Sequence, residues 1–560
     1  MLTAICKSSR LKYALPILLL LPWSAQAARP AHGMVVSAEK LATAAGIEML
    51  ERGGNAFDAA AATALAIGVA EPESSGIGGG GFFLLYIAKE HRYVMLDARE
   101  TSPQLAGHGE IYQTRSSIDG PQSAGVPGLI AGVDRLISRY GKLDRKEIVA
   151  PAVRIARDGF EATPRYRMIA GWRKDVLNTN QAGRIYLHDG EVPEEGSLIR
   201  QPALAETLAR FADRGADDFY RGETAGRLVA DLKRDGGLLR LADLASYRAI
   251  ERQPVEFDAK GFHVVTASLP SSGGLTLAEI FGMLKHDDLK ALKLTDRDHL
   301  LIEAMKRAYR DRNRNLGDAD FVHLPKDYLA QARLQKLRRS IDMQHATPSA
   351  QLNDVAEPAY SEPMGAGTDT THFCVIDRDG NMVSATLSIN YGFGSGYVSP
   401  ATGILLNDEM DDFATQAGKP NAYGLVQGTA NGVAPGKRML SSMTPTIVIG
   451  PQRTFIVGTP GGSRIISMVL EAMLGFMLDE TLPADWIAQP RFHHQFLPDE
   501  VQFEAGAFTD TVAGELRRRG QVLKQVHDYG DMQAILWQRD SGRLTGLADP
   551  RGEGVAVESR

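Results

Sequence analysis

The sequence predicts a large α/β protein, and three observations support this fold class. The chain has 560 residues, of which 44% are hydrophobic, enough for one large core or two closely packed ones. Helix-forming segments near the start lead into a glycine-rich loop and an apolar run. A β-rich hairpin follows near residue 371. A disordered chain is therefore not expected.

The first 27 residues have the pattern of an export signal. Three basic residues precede an apolar run at 13–22, and Ala-Gln-Ala at 25–27 is the small-residue pattern that signal peptidase recognises. A membrane anchor is the alternative, but Pro16 interrupts the run, which is far shorter than the roughly 20 apolar residues that span a bilayer. We expect a mature chain that begins near residue 28, is periplasmic or secreted, and has no membrane anchor.

Charge and cysteine content argue against a nucleic-acid-binding protein and against a disulfide-stabilised one. Without the signal, 59 basic residues face 68 acidic ones, a formal charge of −9. No nucleic-acid partner is expected, because phosphate contacts require a concentrated basic surface. Cys6 leaves with the signal and only Cys374 stays, so no intramolecular disulfide can form. Stability must come from the core.

Two helices and a strand are predicted at the start of the mature chain. Residues 39–52 have helix-forming composition, a glycine pair ends this helix, and Asn55 caps a second one at 56–69. The glycines at 76–81 precede an apolar strand at 82–87. Their spacing matches the dinucleotide-binding fingerprint, but that motif has its strand before the glycines and its helix after them. We therefore expect close backbone packing or a substrate-facing loop, and no nucleotide site.

A linker and a hairpin are predicted in the second half. Residues 348–367 are small and polar, which predicts an exposed linker where a chain break is tolerated. The β-rich runs 371–376 and 382–389 follow, joined by an Asp-Gly turn. Further helices are predicted at 202–214, 298–312 and 465–478.

Thr370 stands where the linker meets the hairpin. A hydroxyl is a poor nucleophile unless a base takes its proton, and a threonine made N-terminal by cleavage carries such a base in its own α-amine. Cleavage between Asp369 and Thr370 would place both groups at the end of a rigid strand. On β-propensity alone, an ordinary threonine-rich strand start is the better interpretation.

Six stretches resemble those of γ-glutamyltranspeptidases, N-terminal-nucleophile enzymes that cleave themselves into a large and a small subunit. They are GGNAFDAA at 53–60, LDARE at 96–100, DTTH at 369–372, GILLNDEMDDF at 403–413, LSSM at 440–443 and GTPGGSR at 458–464. The resemblance covers nearly the whole mature chain. It implies a four-layer αββα sandwich formed jointly by a large subunit, 28–369, and a small subunit, 370–560.

The resemblance also implies the reaction. Thr370 attacks first the peptide bond after Asp369 and then the γ-amide of glutathione or another γ-glutamyl compound. Water, or the amine of an amino acid or dipeptide, resolves the resulting ester. Thr371 assists the new amine, although an ordinary strand residue is an equally good interpretation. Gly461 and Gly462 form the oxyanion hole, where backbone N–H groups approach the developing alkoxide.

The remaining site residues follow from the same resemblance. Arg99, Ser441 and Ser442 match the residues that hold the substrate α-carboxylate, and an arginine fork suits that task. The α-amino group is received by Glu409 and Asp412, with Asn390 as a further polar contact. Ser388 stands where the family commonly has a threonine that supports maturation. Tyr423 matches the gate residue of a lid loop at 417–424.

Two rival functions stay open from the sequence. A cephalosporin or glutaryl amidase would keep the nucleophile without pairing an α-amino group, and Asp412 and the lid argue against it. A non-catalytic exported protein that binds γ-glutamyl peptides would use Arg99 and Asp412 but stay uncleaved. No cofactor or metal is expected, because the pair at 493–494 (His-His) lacks a zinc-like ligand set.

Overall fold

The computed structural model of the chain describes residues 28–352, 369–416 and 418–560. The predicted signal at 1–27 and most of the predicted linker at 348–367 lie outside these residues. Within these three ranges, no helix is both long and apolar enough to cross a membrane.

The described residues form strands and helices that alternate irregularly along the chain. The strands are β1 (Met34–Ser37), β2 (Gly80–Ile87), β3 (Arg92–Ala98), β4 (Phe160–Glu161), β5 (Leu198–Ile199), β6 (Ile250–Arg252), β7 (Val255–Ala259), β8 (Phe262–Thr266), β9 (Thr371–Ile376), β10 (Met382–Ser388), β11 (Thr446–Ile449), β12 (Arg453–Gly458), β13 (Phe492–His493), β14 (Val501–Phe503), β15 (Leu523–Gln525), β16 (Gln533–Gln538), β17 (Leu544–Ala548) and β18 (Val555–Glu558). The α-helices are α1 (Lys40–Glu51), α2 (Ala56–Ala70), α3 (Leu129–Tyr140), α4 (Arg145–Asp158), α5 (Pro164–Leu177), α6 (Gln181–Tyr186), α7 (Pro202–Arg214), α8 (Ala216–Arg221), α9 (Glu223–Asp235), α10 (Leu241–Ser246), α11 (Gly273–Met283), α12 (Leu294–Asn315), α13 (Gln331–Arg339), α14 (Ile465–Leu478), α15 (Pro483–Ala488) and α16 (Asp510–Arg518).

Two large sheets form the centre of the molecule. One has seven strands in the order β18-β1-β9-β10-β2-β3-β6, and the other has six in the order β17-β16-β12-β11-β8-β7. A buried apolar layer containing Val36 and Cys374 from the first sheet and Val265 and Ile456 from the second joins their inner faces. Helices α1 to α4 cover the outer face of the first sheet, and α11, α12 and α14 cover that of the second. This is the αββα architecture that the resemblance implied.

The hairpin that follows residue 370 lies in the middle of the seven-stranded sheet. Its strands β9 and β10 pair with each other, while β9 also pairs with β1 and β10 also pairs with β2, all antiparallel. Gly380 in the connecting turn has a φ of 84°, the conformation that an Asp-Gly turn supplies. Strands from before and after residue 370 are therefore interleaved within one sheet.

Local sequence signals correctly placed several elements. The Asn55 side chain accepts the N–H groups of Phe57 and Asp58, and the Asp58 carboxylate accepts the Asn55 N–H, which closes a capping box at the start of α2. The predicted helices at 202–214, 298–312 and 465–478 are confirmed as α7, α12 and α14. The predicted strand at 82–87 is confirmed as β2, which begins two residues earlier.

The glycine loop before β2 allows close backbone packing. A Cβ on Gly78 would clash with the Leu405 carbonyl oxygen, and one on Gly79 would clash with that of Ser388. Ser388 contacts Thr370, and Leu405 belongs to the acidic loop at 403–413. The loop thus presses the backbone of β2 against the segments that carry the predicted site, which agrees with the packing interpretation.

Candidate active site

Thr370 is held next to Ser388 by the pairing of β9 with β10. Its side chain is buried, and its Oγ1 lies 2.8 Å from Ser388 Oγ, with either hydroxyl able to donate. Thr370 has a φ of 78°, which is an outlier for a β-branched residue and indicates strain of about 1–3 kcal/mol. Ser388 Oγ also accepts the Asn390 N–H at 2.8 Å, which fixes its position. The predicted nucleophile is therefore strained and has a hydroxyl partner.

Asp369 and Tyr423 meet on the other side of the predicted cleavage site. The Tyr423 hydroxyl lies 3.0 Å from Asp369 Oδ2 and 2.9 Å from the Asn390 carbonyl oxygen. Burial holds the pKa of this phenol well above its usual value, so the hydroxyl stays protonated and serves as a donor. The predicted gate residue thus contacts the residue that precedes Thr370.

Arg99 is the centre of a buried cluster of carboxylates. It forms ion pairs with Asp412 and, at 2.5 Å, with Glu409, while Glu100 lies at 3.6 Å. Burial lowers the pKa of Arg99, but the carboxylates of Glu409 and Asp412 outweigh this effect, so the pKa is raised overall. Burial raises the pKa of Glu100 to about 8 and that of Glu409 well above its usual value. The two residues predicted to hold opposite ends of a substrate, Arg99 and Asp412, therefore contact each other.

Ser441 and Ser442 line the same cavity beside Arg312 of α12, and Arg99 Nε donates to the Met439 carbonyl oxygen of their segment at 3.3 Å. Ser441 Oγ accepts a hydrogen bond from the Met443 N–H at 3.0 Å, and Ser442 Oγ accepts one from Arg312 Nη2 at 2.9 Å. The segment that carries both serines pairs with the 269–274 loop through a bridge between Ser271 and Ser441.

Gly461 and Gly462 form a turn between β12 and α14. Their φ angles are 141° and 56°, a geometry that favours glycine. Among the residues that the structure describes, no protein acceptor takes either N–H group. A Cβ on Gly462 would clash with the Tyr423 ring. The turn therefore offers two backbone N–H donors next to the predicted gate residue Tyr423, and an oxyanion hole requires such donors.

The described part of the predicted lid, 418–424, is closed over these groups. Asp411 Oδ2 accepts the Ala422 N–H at 2.8 Å, and its Oδ1 accepts the Ser117 hydroxyl at 2.7 Å. Burial raises the pKa of Asp411 to about 6. Asn421 Oδ1 accepts the N–H groups of Tyr423 and Leu425 at 3.1 and 3.0 Å. The lid is therefore held by the carboxylates of Asp411 and Asp369 and by hydrogen bonds to its own Asn421.

Nine of the predicted site residues line one small cavity of about 20 Å³. They are Arg99, Thr370, Ser388, Asn390, Asp412, Tyr423, Ser441, Ser442 and Gly462. That volume holds about one water molecule, so a glutamyl group can enter only if the lid moves. A larger surface cavity of about 980 Å³, lined by residues such as Asn180 and Tyr397, contains none of the predicted site residues.

Four predicted residues do not line the cavity, and one of them is Asp369, whose carboxylate accepts from the Tyr423 hydroxyl. Glu409 contacts it through Arg99, and Gly461 stands behind Gly462. Thr371 is fully buried, and its hydroxyl lies near Glu71 without forming a hydrogen bond of acceptable geometry. The structure therefore places the Thr371 side chain away from the cavity that holds Thr370.

The histidine pair at 493–494 forms ordinary internal hydrogen bonds. His493 Nδ1 lies 2.8 Å from Ser467 Oγ, and His494 Nε2 lies 3.2 Å from Asp499 Oδ1. Burial lowers the pKa of His493 to about 3, so this ring is neutral. In the three described ranges, no group of three or more His, Cys, Asp or Glu side chains is arranged to hold a metal ion.

Arg312 was missed by the sequence reasoning, although the sequence contains a signal for it. The buried positions Leu301, Met305 and Ala308 follow the helical spacing of α12, and Arg312 continues the same stripe. A charged residue on the apolar face of a helix indicates a buried polar contact.

Comparison with known proteins identifies the family. The family model described as Gamma-glutamyltranspeptidase matches residues 42–559. The chain belongs to the gamma-glutamyltranspeptidase family. It is 37% identical to the "Glutathione hydrolase proenzyme" of Escherichia coli (strain K12), with 93% of this chain and 91% of the relative covered. The protein of the same description from Pseudomonas aeruginosa is 38% identical, with 95% and 96% covered.

A solved structure shares the fold over almost the full length. The cephalosporin acylase from Bacillus halodurans superposes with a TM-score of 0.81 at 26% identity, and the match covers 98% of this chain and 99% of that one. The predicted family, enzyme class and four-layer fold are thus confirmed. The roles of individual residues and the cleavage site stay predictions.

Proposed function

We propose that this chain is a self-cleaving γ-glutamyltransferase and glutathione hydrolase whose nucleophile is Thr370. The observation that carries the proposal is the position of Thr370. It stands strained at the first residue before β9, with its Oγ1 2.8 Å from Ser388 Oγ, in a cavity that also contains Arg99, Asp412 and Gly462. One hydroxyl thus faces acidic, basic and backbone N–H groups within the same small space.

The first reaction is cleavage of the chain itself. Thr370 Oγ1 attacks the Asp369 carbonyl carbon, its proton passes to the departing amide nitrogen, and an ester replaces the peptide bond. Water then hydrolyses the ester, which leaves the Asp369 carboxylate and a free Thr370 amine. Release of the strain at φ 78° favours this step, and Ser388 is placed to relay the proton.

The second reaction uses the freed amine as the base. It takes the proton of Oγ1 as the oxygen attacks the γ-carbonyl carbon of the donor, and the leaving amine departs with a proton. The N–H groups of Gly461 and Gly462 stabilise the oxyanion of the intermediate. Water, or the amine of an amino acid or dipeptide, then attacks the γ-glutamyl ester and restores Thr370.

Substrate selection depends on the zwitterionic end of the glutamyl group. Its α-carboxylate and α-ammonium share one carbon atom, so their partners must be neighbours. Arg99 and Asp412 are in direct contact, which is the arrangement that such a substrate needs. Glu409, in contact with Arg99, adds a second carboxyl group for the ammonium, and Asn390, Ser441 and Ser442 line the same cavity as uncharged polar partners.

Amidase activity on cephalosporins or glutaryl compounds is the second candidate, because the fold match to cephalosporin acylase is close. Asp412 in the cavity and the closed lid favour the γ-glutamyl substrate. Turnover of γ-glutamyl and glutaryl anilides decides between them. A higher kcat/KM for the glutaryl compound would reject our choice of substrate.

The direct test of the nucleophile is N-terminal sequencing of the purified protein. We expect one fragment that begins at Thr370 and another that begins near residue 28 after export to the periplasm or medium. Thr370→Ala should stay one chain on a denaturing gel, while Thr370→Ser, which keeps a hydroxyl, should still be cleaved. A wild-type chain that stays intact would contradict the proposal and would favour a binding protein.

A further inference from the structure

Arg312 is a buried guanidinium that faces the candidate cavity. It is 1% exposed and lines the cavity together with Thr370 and Ser442. Its Nε donates to Ser272 Oγ, its Nη1 to Asn313 Oδ1 and its Nη2 to Ser442 Oγ, each at 2.9 Å. All three acceptors are uncharged. No carboxylate in the described part of the chain lies within ion-pair distance of Arg312.

The two arginines of the cavity therefore differ in their charge balance. Arg99 is paired with Glu409 and Asp412 and has Glu100 close by, so its positive charge has carboxyl partners in direct contact. Arg312 feels the Asp412 carboxylate only at a distance, and burial lowers its pKa. Burying a cation without a counter-charge is unfavourable. The cavity consequently contains one arginine with carboxyl partners, Arg99, and one without, Arg312, and an anion near Arg312 would relieve the imbalance.

The hydroxyl groups of Ser441 and Ser442 stand between Arg312 and the cavity. A serine hydroxyl has one proton to donate and lone pairs to accept with. Ser442 Oγ accepts from Arg312, and Ser441 Oγ accepts from the Met443 N–H. Within the described residues, neither serine donates its own proton to a protein acceptor. Both protons are therefore available to an anionic ligand, and the guanidinium strengthens Ser442 as a donor.

The position of Arg312 is fixed by the segment that carries these serines. Ser272 Oγ, which accepts from Arg312 Nε, donates its proton to the Ser441 carbonyl oxygen at 2.7 Å. The guanidinium is thus bonded to the serine segment directly through Ser442 and indirectly through Ser272. We therefore expect a change at Arg312 to act first on the serine pair.

We propose that Arg312 is a specificity-determining positioning residue that supplies the positive charge for the α-carboxylate of the γ-glutamyl donor, acting through the Ser442 hydroxyl. The inference rests on the proposed function, and it adds Arg312 to Arg99 as a second cation for the α-carboxylate. The ammonium of the substrate then points toward Glu409 and Asp412 and its carboxylate toward Ser442, with Arg99 as the first cation and Arg312 as the second.

Three anilide substrates test the proposal. The γ-glutamyl anilide carries both charged groups, the glutaryl anilide lacks the α-amino group, and the 4-aminobutanoyl anilide lacks the α-carboxylate. Arg312→Gln should lower kcat/KM about tenfold to a hundredfold for the first two and leave the third unchanged. Arg312→Lys should recover part of the loss. Asp412→Asn is the matched comparison and should lower kcat/KM most for the two anilides that carry the amino group, the γ-glutamyl and the 4-aminobutanoyl compounds.

Equal losses on all three substrates, or no loss with the γ-glutamyl anilide, would overturn the role of Arg312. Denaturing gels and circular dichroism establish that each variant is cleaved and folded, and Arg312→Lys carries the test if Arg312→Gln does not fold. Isothermal titration calorimetry with L-glutamate and 4-aminobutanoate measures binding to the wild-type protein and the variants without requiring turnover. If the wild-type protein does not process γ-glutamyl anilide, the proposed function fails, while a selective loss of glutamate binding in the variant still supports Arg312.

Discussion

Ser388→Ala should slow maturation of the precursor. The substitution removes the hydroxyl that lies 2.8 Å from Thr370 Oγ1 in a buried environment. A hydrogen bond of this kind contributes about 1 kcal/mol net, which corresponds to about a fivefold lower rate if it acts in the transition state of cleavage. The Asn390 N–H also loses its acceptor, so we expect the free energy of unfolding to fall by about 1–3 kcal/mol.

Cell-free synthesis followed by a denaturing gel at successive times measures the maturation rate. Ser384→Ala provides a matched control, because Ser384 is a buried serine of the same strand whose hydroxyl donates to the Val457 carbonyl oxygen at 3.2 Å. The control should lose stability without slowing cleavage. Ser388→Thr keeps the hydroxyl and should mature at least as fast as the wild-type chain.

Two results would refute this reasoning. If Ser388→Ala matured at the wild-type rate while losing stability as expected, the serine would have only a structural role. If Ser384→Ala slowed cleavage as much as Ser388→Ala, the delay would reflect weakened packing of β10 and not the partner of the nucleophile.

Three further substitutions test the rest of the site. Gly462→Ala should lower kcat about a hundredfold or more in steady-state assays of cleaved protein, because the new Cβ clashes with Tyr423 beside the oxyanion donors. A near-normal kcat would contradict the role of Gly462 in the oxyanion hole. Tyr423→Phe should slow maturation about two- to tenfold on gels, because Asp369 loses a hydrogen bond, and unchanged maturation would contradict this. The raised pKa of Asp411 provides stability that is present below pH 3.8 and lost as the pH rises through about 6. Relative to the wild-type protein, Asp411→Asn should therefore gain about 2 kcal/mol in free energy of unfolding between about pH 4 and pH 8 in urea titrations, and a constant difference would exclude Asp411 as the titrating group.

The sequence predicted local features well because their causes are local. Asn55 is followed three residues later by Asp58, so the capping box at the start of α2 follows from neighbouring residues. The Asp-Gly turn predicted the hairpin in the same way. The resemblance then brought together residues that local patterns cannot connect, and the structure places nine of them around one cavity.

What could not be predicted depends on contacts between distant parts of the chain. The ion pair between Arg99 and Asp412 joins residues 313 positions apart, and no local signal shows that two predicted substrate ligands contact each other. Arg312 was not predicted, because its only local signal is a charge on an apolar helix face. Its partner Ser442 is 130 positions away and is brought near by the pairing of Ser271 with Ser441.

The interleaving of strands from both proposed subunits in the seven-stranded sheet has a consequence for refolding after the proposed cleavage. Strand β1 lies between β9 and β18, so each proposed subunit supplies neighbours to the other and the cut leaves every one of these pairings in place. Once unfolded, however, the two pieces would have to find each other in solution before this sheet could form again. Folding would then depend on protein concentration, whereas the uncut precursor folds as a single molecule. The proposed cleavage would therefore make refolding at low protein concentration much harder than it is for the uncut chain.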